Sequence, residues 1–327
     1  MHAGHHYSLK EIIVWTRRET AVFLLLTALP TTLYITLHWH WLALPWLPIA
    51  MIGTAVAFLT GFKNNASYSR LWEARQIYGA ILNTSRSWAI LVLDAVPDPI
   101  ARRRLFHRHF AYLTALRYQL REPRAWENSK RSQNVEYQAH YHVAEWDRPL
   151  PAELTPHLDP PELAYVLVRK NRPTHLLHLQ AQDLRASVPV SPTSEFRLLE
   201  LQRLLASFTD SQGKCERIKN FPYPRQFASL NHLFIWLFII LAPLGLLQEF
   251  HKLGESFVWV NIPASTLIAW VFHTMDKIGE ATENPFEGGP NDVPITALSR
   301  TIEIDLLEML GETSLPPALQ PENNILM

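Results

Sequence analysis

The sequence predicts an all-α membrane protein with four transmembrane helices and a large helical cytosolic region. Residues 20–62 contain no Asp, Glu, Lys or Arg, and two later stretches, residues 226–248 and 256–275, are equally free of charge. One bilayer crossing takes about twenty apolar residues, so the first stretch supplies two crossings and the later stretches one each. A soluble helical protein is the weaker interpretation, because core helices normally keep one polar stripe toward water.

The first uncharged run predicts a helical hairpin over residues 21–62. We expect its turn between residues 38–41 and Pro48, because tryptophans there suit the membrane interface and Pro45 and Pro48 disfavour continuous helix. A secretory signal peptide is the alternative interpretation of this run. The run is too long for a signal-peptide core and leads directly into a second crossing.

The second hairpin is predicted over residues 226–276, with a short polar link at residues 249–255. Pro243 and Pro263 lie inside its two crossings. Proline is tolerated in membrane helices whose neighbours satisfy the freed carbonyl groups, so both prolines predict kinks.

Basic residues predict the orientation of the four crossings. Lys10, Arg17 and Arg18 precede the first crossing, Lys63 follows the second, and Lys252 is the single Lys or Arg of the two outer loops. By the positive-inside rule, both termini and the middle region lie in the cytosol, as in a multi-pass protein of the cell inner membrane. The predicted organisation is a cytosolic N-terminal segment (1–20), a transmembrane hairpin (21–62), a helical cytosolic region (63–225), a second hairpin (226–276) and a cytosolic C-terminal segment (277–327).

The cytosolic region is rich in Arg, Gln, Glu, Leu and Ala, with helical periodicity in residues 67–93, 101–120 and 194–218. Prolines at residues 97–99, 149–161 and 189–192 predict loops between helices. The second crossing is expected to continue as one helix through Lys63 to Arg75, and the tail after Pro316 is expected to be loosely ordered.

The second crossing carries two neighbouring stripes at helical spacing. A small-residue stripe that permits close helix approach consists of Gly53, Ala57 and Gly61. The stripe one position further on consists of Thr54, Phe58 and Phe62. If identical helices pack around an axis through the small residues, the second stripe faces that axis and lines a pore. The alternative is that its phenylalanines face lipid or a neighbouring helix.

Composition and motifs argue against several other classes of protein. The 30 basic and 30 acidic residues balance, which gives no support to nucleic-acid binding. Cys215 is the single cysteine, so no intramolecular disulfide forms. The fifteen histidines show no recognised zinc pattern, and no phosphate loop, nucleophile elbow or pair of catalytic carboxylates is present. We therefore expect no metal site, no cofactor and no enzymatic activity.

Three blocks of sequence carry a resemblance to a known family. They are FKNNASYSRLWEAR at residues 62–75, Pro-Tyr-Pro at residues 222–224 before the third crossing, and Glu-Asn-Pro-Phe at residues 283–286. In this order and at these positions, the chain resembles the bacterial branch of the bestrophin family over roughly residues 7–310.

The resemblance implies a homopentamer in the lipid bilayer around an axial pore that conducts small monovalent ions, chiefly chloride or other anions. It places a hydrophobic neck at Thr54, Phe58 and Phe62, where Thr54 departs from the bulky apolar pattern of the family, and a cytosolic constriction at Leu199. Calcium gates animal members through acidic residues after the Asn-Pro-Phe block. Most of those carboxylates are absent from residues 287–292, so calcium dependence is not expected here.

Other functions stay open on the sequence alone. A cation-selective channel of the same architecture is the first alternative, because bacterial members include cation-conducting examples. A secondary transporter is disfavoured by four crossings without an inverted repeat. A membrane-anchored enzyme or scaffold would need a pocket with convergent titratable groups and no axial opening.

Overall fold

A computed structural model of the chain describes residues 1–128, 134–135 and 138–327. The described residues form α-helices, 3₁₀ turns and isolated β-bridges but no β-strand, which confirms the predicted all-α class. The α-helices are α1 (Leu9–Thr36), α2 (Trp46–Ala95), α3 (Pro99–Arg121), α4 (Ala144–Asp147), α5 (Leu150–Leu154), α6 (Pro160–Leu167), α7 (Arg172–Ser187), α8 (Pro192–Asn220), α9 (Arg225–His251), α10 (Asn261–Thr282) and α11 (Ile295–Met309).

The chain divides into two compact units. The hairpin unit comprises residues 4–69 and 222–283, and the helical unit comprises residues 1–3, 70–221 and 284–327. Four helical segments in the described part of the chain are long and apolar enough to cross a membrane: Leu9–Thr36, His40–Ala95, Arg225–His251 and Glu255–Thr282.

The hairpin unit buries one apolar stripe of each of its helices. Phe23 of α1, Val56 of α2, Phe238 of α9 and Ala269 of α10 belong to one core cluster. The remaining faces are apolar and exposed, as expected of helices that meet lipid instead of water. Large exposed side chains on these faces include Leu25, Leu29, Leu233 and Leu267.

The turn of the first hairpin lies where the sequence predicts it. Helix α1 ends at Thr36, a 3₁₀ turn covers His40–Leu42, and α2 begins at Trp46.

Helix α1 begins with a capping box. The Ser8 hydroxyl accepts a hydrogen bond from the Glu11 N–H, and the Glu11 carboxylate accepts one from the Ser8 N–H.

The fourth crossing differs from the prediction. Residues Glu255–Val260 form a 3₁₀ turn, and α10 begins only at Asn261, so Pro263 lies in the first helical turn and the predicted kink there is wrong. A proline in the first turn removes an N–H that has no helical partner in any case. Pro243 does lie inside α9, and its carbonyl oxygen accepts a hydrogen bond from Asn261 Nδ2 at 3.1 Å.

Helix α2 is a single helix of 50 residues. It continues without a break through Lys63 and Arg75, as the sequence predicts, and extends further to Ala95. At 1.5 Å per residue it is about 75 Å long, more than twice the hydrocarbon thickness of a bilayer. One helix therefore belongs to the hairpin unit over its first half and to the helical unit from Arg70 onward.

The helical unit has its own core, to which Trp88 of α2, Phe106 of α3 and Phe208 of α8 belong. The predicted helical segments 67–93, 101–120 and 194–218 lie within α2, α3 and α8. The loops predicted around residues 97 and 189 are present. The loop predicted over residues 149–161 is wrong in part, because it contains α5 and the start of α6, where prolines occupy first-turn positions.

The end of the C-terminal tail packs within the helical unit, so the expectation of a loose tail after Pro316 is wrong for residues 322–327. Ile325 and Met327 are buried with Tyr141 in one small cluster. The Ala297 N–H donates to the Met327 carbonyl at 2.8 Å. The apolar end of the tail explains this packing, since Ile-Leu-Met at residues 325–327 gains from burial.

Candidate pore-lining site

Helix α2 presents the predicted stripe away from the core of its own unit. Thr54 is exposed, Phe58 is 68% exposed and Phe62 is 59% exposed. The opposite face is buried and includes Val56 and Thr60. The three residues thus share one open face of α2 in the single chain.

The exposed stripe extends beyond Thr54, Phe58 and Phe62 toward the start of α2. Leu47 and Met51 are exposed on α2 at the preceding helical spacings, so one exposed face, apolar except at Thr54, runs from the start of the helix to Phe62. The rings of Phe58 and Phe62 meet edge to face with centroids 4.7 Å apart. The Thr54 hydroxyl donates to the Ala50 carbonyl at 3.0 Å, so its proton is used within the helix.

The small-residue stripe is divided between two environments. A Cβ atom on Gly53 would lie 2.5 Å from Cε2 of Phe238, so glycine permits the close approach of α2 to α9 within one chain. Ala57 is exposed, and a Cβ atom on Gly61 would meet nothing within 4 Å. The role of Ala57 and Gly61 in packing between identical helices stays a prediction.

A buried polar network fixes α2 directly beside the stripe. Lys63 Nζ donates to Asp276 Oδ1 at 2.7 Å, and both side chains are almost fully buried. Asn231 Nδ2 donates to the same oxygen at 3.0 Å, while Thr60 Oγ1 donates to Asn231 Oδ1 at 3.1 Å. Charges buried at this depth persist when they are paired and hydrogen-bonded. The network therefore ties the helix position next to Phe62 to α9 and α10.

Asn64, the residue after Lys63, makes a second contact between α2 and α10 within the sequence block at residues 62–75. Asn64 Nδ2 donates to the Met275 carbonyl at 2.9 Å. A Cβ atom on Gly279 would lie 2.2 Å from Asn64 Oδ1, so glycine makes room for this side chain on α10. The Lys-Asn pair after Phe62 thus anchors α2 to α10.

Leu199 lies on α8 in the helical unit. It is 49% exposed, and Phe196 one turn earlier is also exposed, while Leu201 and Leu205 point into the core. The side chain is therefore available on an open helix face, and its role as a cytosolic constriction stays a prediction.

The segment after the Asn-Pro-Phe block is buried and hydrogen-bonded within the helical unit. Asp292 Oδ1 accepts the N–H of Phe286 at 2.8 Å, and Asp292 Oδ2 accepts the N–H of Gly288 at 2.8 Å and a guanidinium N–H of Arg121 at 2.7 Å. Burial raises the pKa of Glu287 to about 8. Calcium takes six to eight oxygen ligands, several of them charged carboxylates. The Asp292 carboxylate is already occupied by N–H donors, and burial disfavours the charged form of Glu287 that a calcium ligand needs, so these two residues do not fit that ion.

Several histidines of the helical unit have protein partners. His109 is buried and accepts or donates at Ser85 Oγ over 2.9 Å, and burial lowers its pKa to about 3. His107 meets His157, and burial lowers the pKa of His157 to about 4. His175 contacts the Tyr165 hydroxyl at 3.1 Å.

One group of potential metal ligands was not visible in the sequence. Among the described residues, His232, Asp276 and Glu280 bring one ligand atom each to within 4.8 Å of one another. His232 lies on α9 and the two carboxylates lie on α10, and His232 and Asp276 are 44 positions apart in the sequence. No spacing rule within one helix finds such a group, because only the packing of two helices creates it.

Comparison with known proteins agrees with this architecture. The chain is 28% identical over 277 residues to the voltage-dependent anion channel-forming protein YneE of Escherichia coli O157:H7, covering 85% of this chain and 81% of that protein. It is 29% identical over 274 residues to the voltage-dependent anion channel-forming protein mll4386 of Mesorhizobium japonicum, covering 84% of this chain and 77% of that protein.

Solved structures show the same fold. A crystal structure of a bacterial bestrophin homolog from Klebsiella pneumoniae matches with a TM-score of 0.75 at 23% identity, covering 91% of this chain and 99% of that one. The family model described as Bacterial/Fungal Bestrophin protein matches residues 9–308. This multi-pass membrane protein therefore belongs to the bacterial and fungal bestrophin family.

Proposed function

We propose that this chain forms an anion-conducting channel in which α2 lines a hydrophobic neck at Thr54, Phe58 and Phe62. The observation that carries the proposal is the exposed face of α2, apolar except at Thr54, which its own hairpin unit leaves uncovered while burying the opposite face. The curated relatives named as voltage-dependent anion channel-forming proteins, which cover most of the chain, support the choice of a channel and of anions.

The neck requires several copies of the chain around one axis, and we infer a homopentamer. One helix cannot enclose a conduit, and the exposed Ala57 and Gly61 offer a smooth surface for the approach of a neighbouring α2. In that arrangement Phe58 and Phe62 of each copy face the axis. Leu199 of each copy then supplies a second, cytosolic constriction.

Conduction through such a neck is gated by water. A narrow apolar constriction expels water and blocks ions until it widens. Ring edges carry positive partial charge and faces carry negative partial charge, so phenylalanine edges directed at the axis favour anions over cations. The planes of the Phe58 and Phe62 rings lie at 87° to each other, so the edges of the two rings point in different directions.

We further propose that both termini and the helical unit lie in the cytosol, in the inner membrane of the cell. Lys10, Arg17, Arg18 and Lys63 lie on the side assigned to the cytosol. The loop between α9 and α10 on the other side carries Lys252, which pairs with Glu249 at 2.8 Å. Cysteine labelling at a residue of that loop tests the orientation, since an impermeant thiol reagent should label it from outside intact cells.

The test of the neck is Phe58→Ala in the purified channel, recorded in planar bilayers. Removal of the ring widens and wets the constriction, so we expect a larger single-channel conductance. Phe227→Ala is the matched control, because Phe227 is also exposed (62%) but lies on α9. A Phe58→Ala channel with unchanged conductance, or an equal increase in Phe227→Ala, would exclude the neck assignment.

A further inference from the structure

Three side chains of the kind that bind transition metals converge in the hairpin unit. His232 lies on α9, and Asp276 and Glu280 lie four residues apart on α10, so both carboxylates share one helix face. Asp276 is buried, Glu280 is half-buried and His232 is exposed. The group therefore has a buried anchor and an open side from which an ion and water can enter.

The hydrogen bonds of Asp276 leave one oxygen directed at His232. Oδ1 accepts from Lys63 Nζ at 2.7 Å and from Asn231 Nδ2 at 3.0 Å, while Oδ2 lies 3.2 Å from His232 Nδ1. Two ligands of a tetrahedral zinc ion with bonds of about 2.0 Å lie roughly 3.3 Å apart. The Asp276–His232 separation already has this value. The Lys63 and Asn231 contacts are partners of the kind that orient a ligating carboxylate.

We propose that His232 Nδ1, Asp276 Oδ2 and a carboxylate oxygen of Glu280 bind one divalent transition-metal ion of the zinc class. The ion takes the place of the proton shared between Nδ1 and Oδ2, and water completes its coordination on the exposed side. An imidazole ligand selects zinc-like ions over calcium or magnesium, which prefer oxygen alone.

The location gives the ion a structural consequence. It joins α9 to α10 at a carboxylate that also holds Lys63, the residue after Phe62 on α2. Binding of an ion to the folded state alone raises the stability of that state by mass action. Metal binding and its effect on stability can be measured whether or not the chain conducts anions.

The test is zinc binding by the purified, tag-free, full-length protein after removal of metal by a chelator. Isothermal titration with Zn²⁺ should show a site that His232→Ala and Glu280→Gln each weaken by at least about tenfold, as expected for loss of one ligand. His251→Ala is the matched control, because His251 is an exposed histidine at the far end of the same helix. The chain has 15 histidines, so the difference between variants is the decisive quantity.

A second readout uses Co²⁺ in place of Zn²⁺. Its visible absorption should report a mixed nitrogen and oxygen ligand set in the wild type and in His251→Ala, and the bands should be lost in His232→Ala. If His232→Ala does not fold, Glu280→Gln decides the matter by the same two measurements. Equal zinc affinity in wild type, Glu280→Gln and a folded His232→Ala would overturn the proposal and place any bound ion elsewhere.

Discussion

Replacement of Glu287 by glutamine should remove a pH-dependent cost to stability. The Glu287 carboxyl group is buried in the helical unit, where it accepts the Asn128 N–H at 3.0 Å. Burial, followed by the nearby charges of Asp292 and Glu127, raises its pKa from the ordinary 4.5 to about 8. Glutamine keeps an acceptor for the same N–H and has no charge to bury.

The raised pKa fixes both the sign and the size of the effect. Between pH 4.5 and pH 8 the folded protein binds this proton more tightly than the unfolded chain, so stability falls as the pH rises and reaches its lower limit above pH 8. Each pH unit in this window costs up to about 1.4 kcal/mol. From pH 5 to pH 9 the free energy of unfolding should therefore drop by about 4 kcal/mol through this group alone.

Thermal unfolding of the purified protein in detergent measures this difference. Between pH 5 and pH 9 the melting temperature of the wild type should fall by about 8 °C more than that of Glu287→Gln. The conversion follows because 1 kcal/mol corresponds to about 2 °C in a chain of this size. Glu308→Gln, which changes an exposed glutamate of α11, should keep the wild-type pH dependence. Equal loss in wild type and Glu287→Gln would refute the reasoning from burial.

Two further predictions concern packing and buried charge. Gly53→Ala should lower the melting temperature, because its Cβ atom would lie 2.5 Å from the Phe238 ring. Gly61→Ala should leave folding intact, because a Cβ atom there meets nothing within 4 Å in the single chain. It should change assembly only if subunits meet at this position. Asp183→Asn should destabilise the helical unit by about 1–2 kcal/mol in chemical unfolding. It removes the carboxylate that pairs with the buried guanidinium of Arg108 at 2.8 Å, while Glu162 continues to pair with the same guanidinium. An unchanged unfolding midpoint in either destabilising variant would contradict the corresponding contact.

The crossings and the long second helix could be predicted because their signal is local. Missing charges over about twenty residues are visible in any window of that length, and α2 has no proline between residues 49 and 95. The start of the fourth crossing could not be placed in this way. Gly254 has a φ of +131°, and a 3₁₀ turn follows it. Residues 256–260 of that turn and residues 261–275 of α10 are equally free of charge, so charge does not mark the boundary between them.

The polar anchors were missed because they depend on long-range packing. Lys63 and Asp276 are 213 residues apart in sequence and meet only when α2 packs on α10. In the sequence, Lys63 and Asp276 look like ordinary charged residues at the end of a crossing, because no neighbouring residue indicates that either side chain is buried. The same holds for Gly53, whose place in a small-residue stripe does not reveal that its neighbour is Phe238 of the same chain.

The central claim is that this chain conducts anions through a neck formed by α2. The most direct measurement is the reversal potential of purified protein in planar bilayers under a potassium chloride gradient. The account predicts a reversal near the equilibrium potential of chloride. A reversal near the equilibrium potential of potassium would contradict anion selection, and the absence of current from folded protein under all voltages would contradict the channel itself.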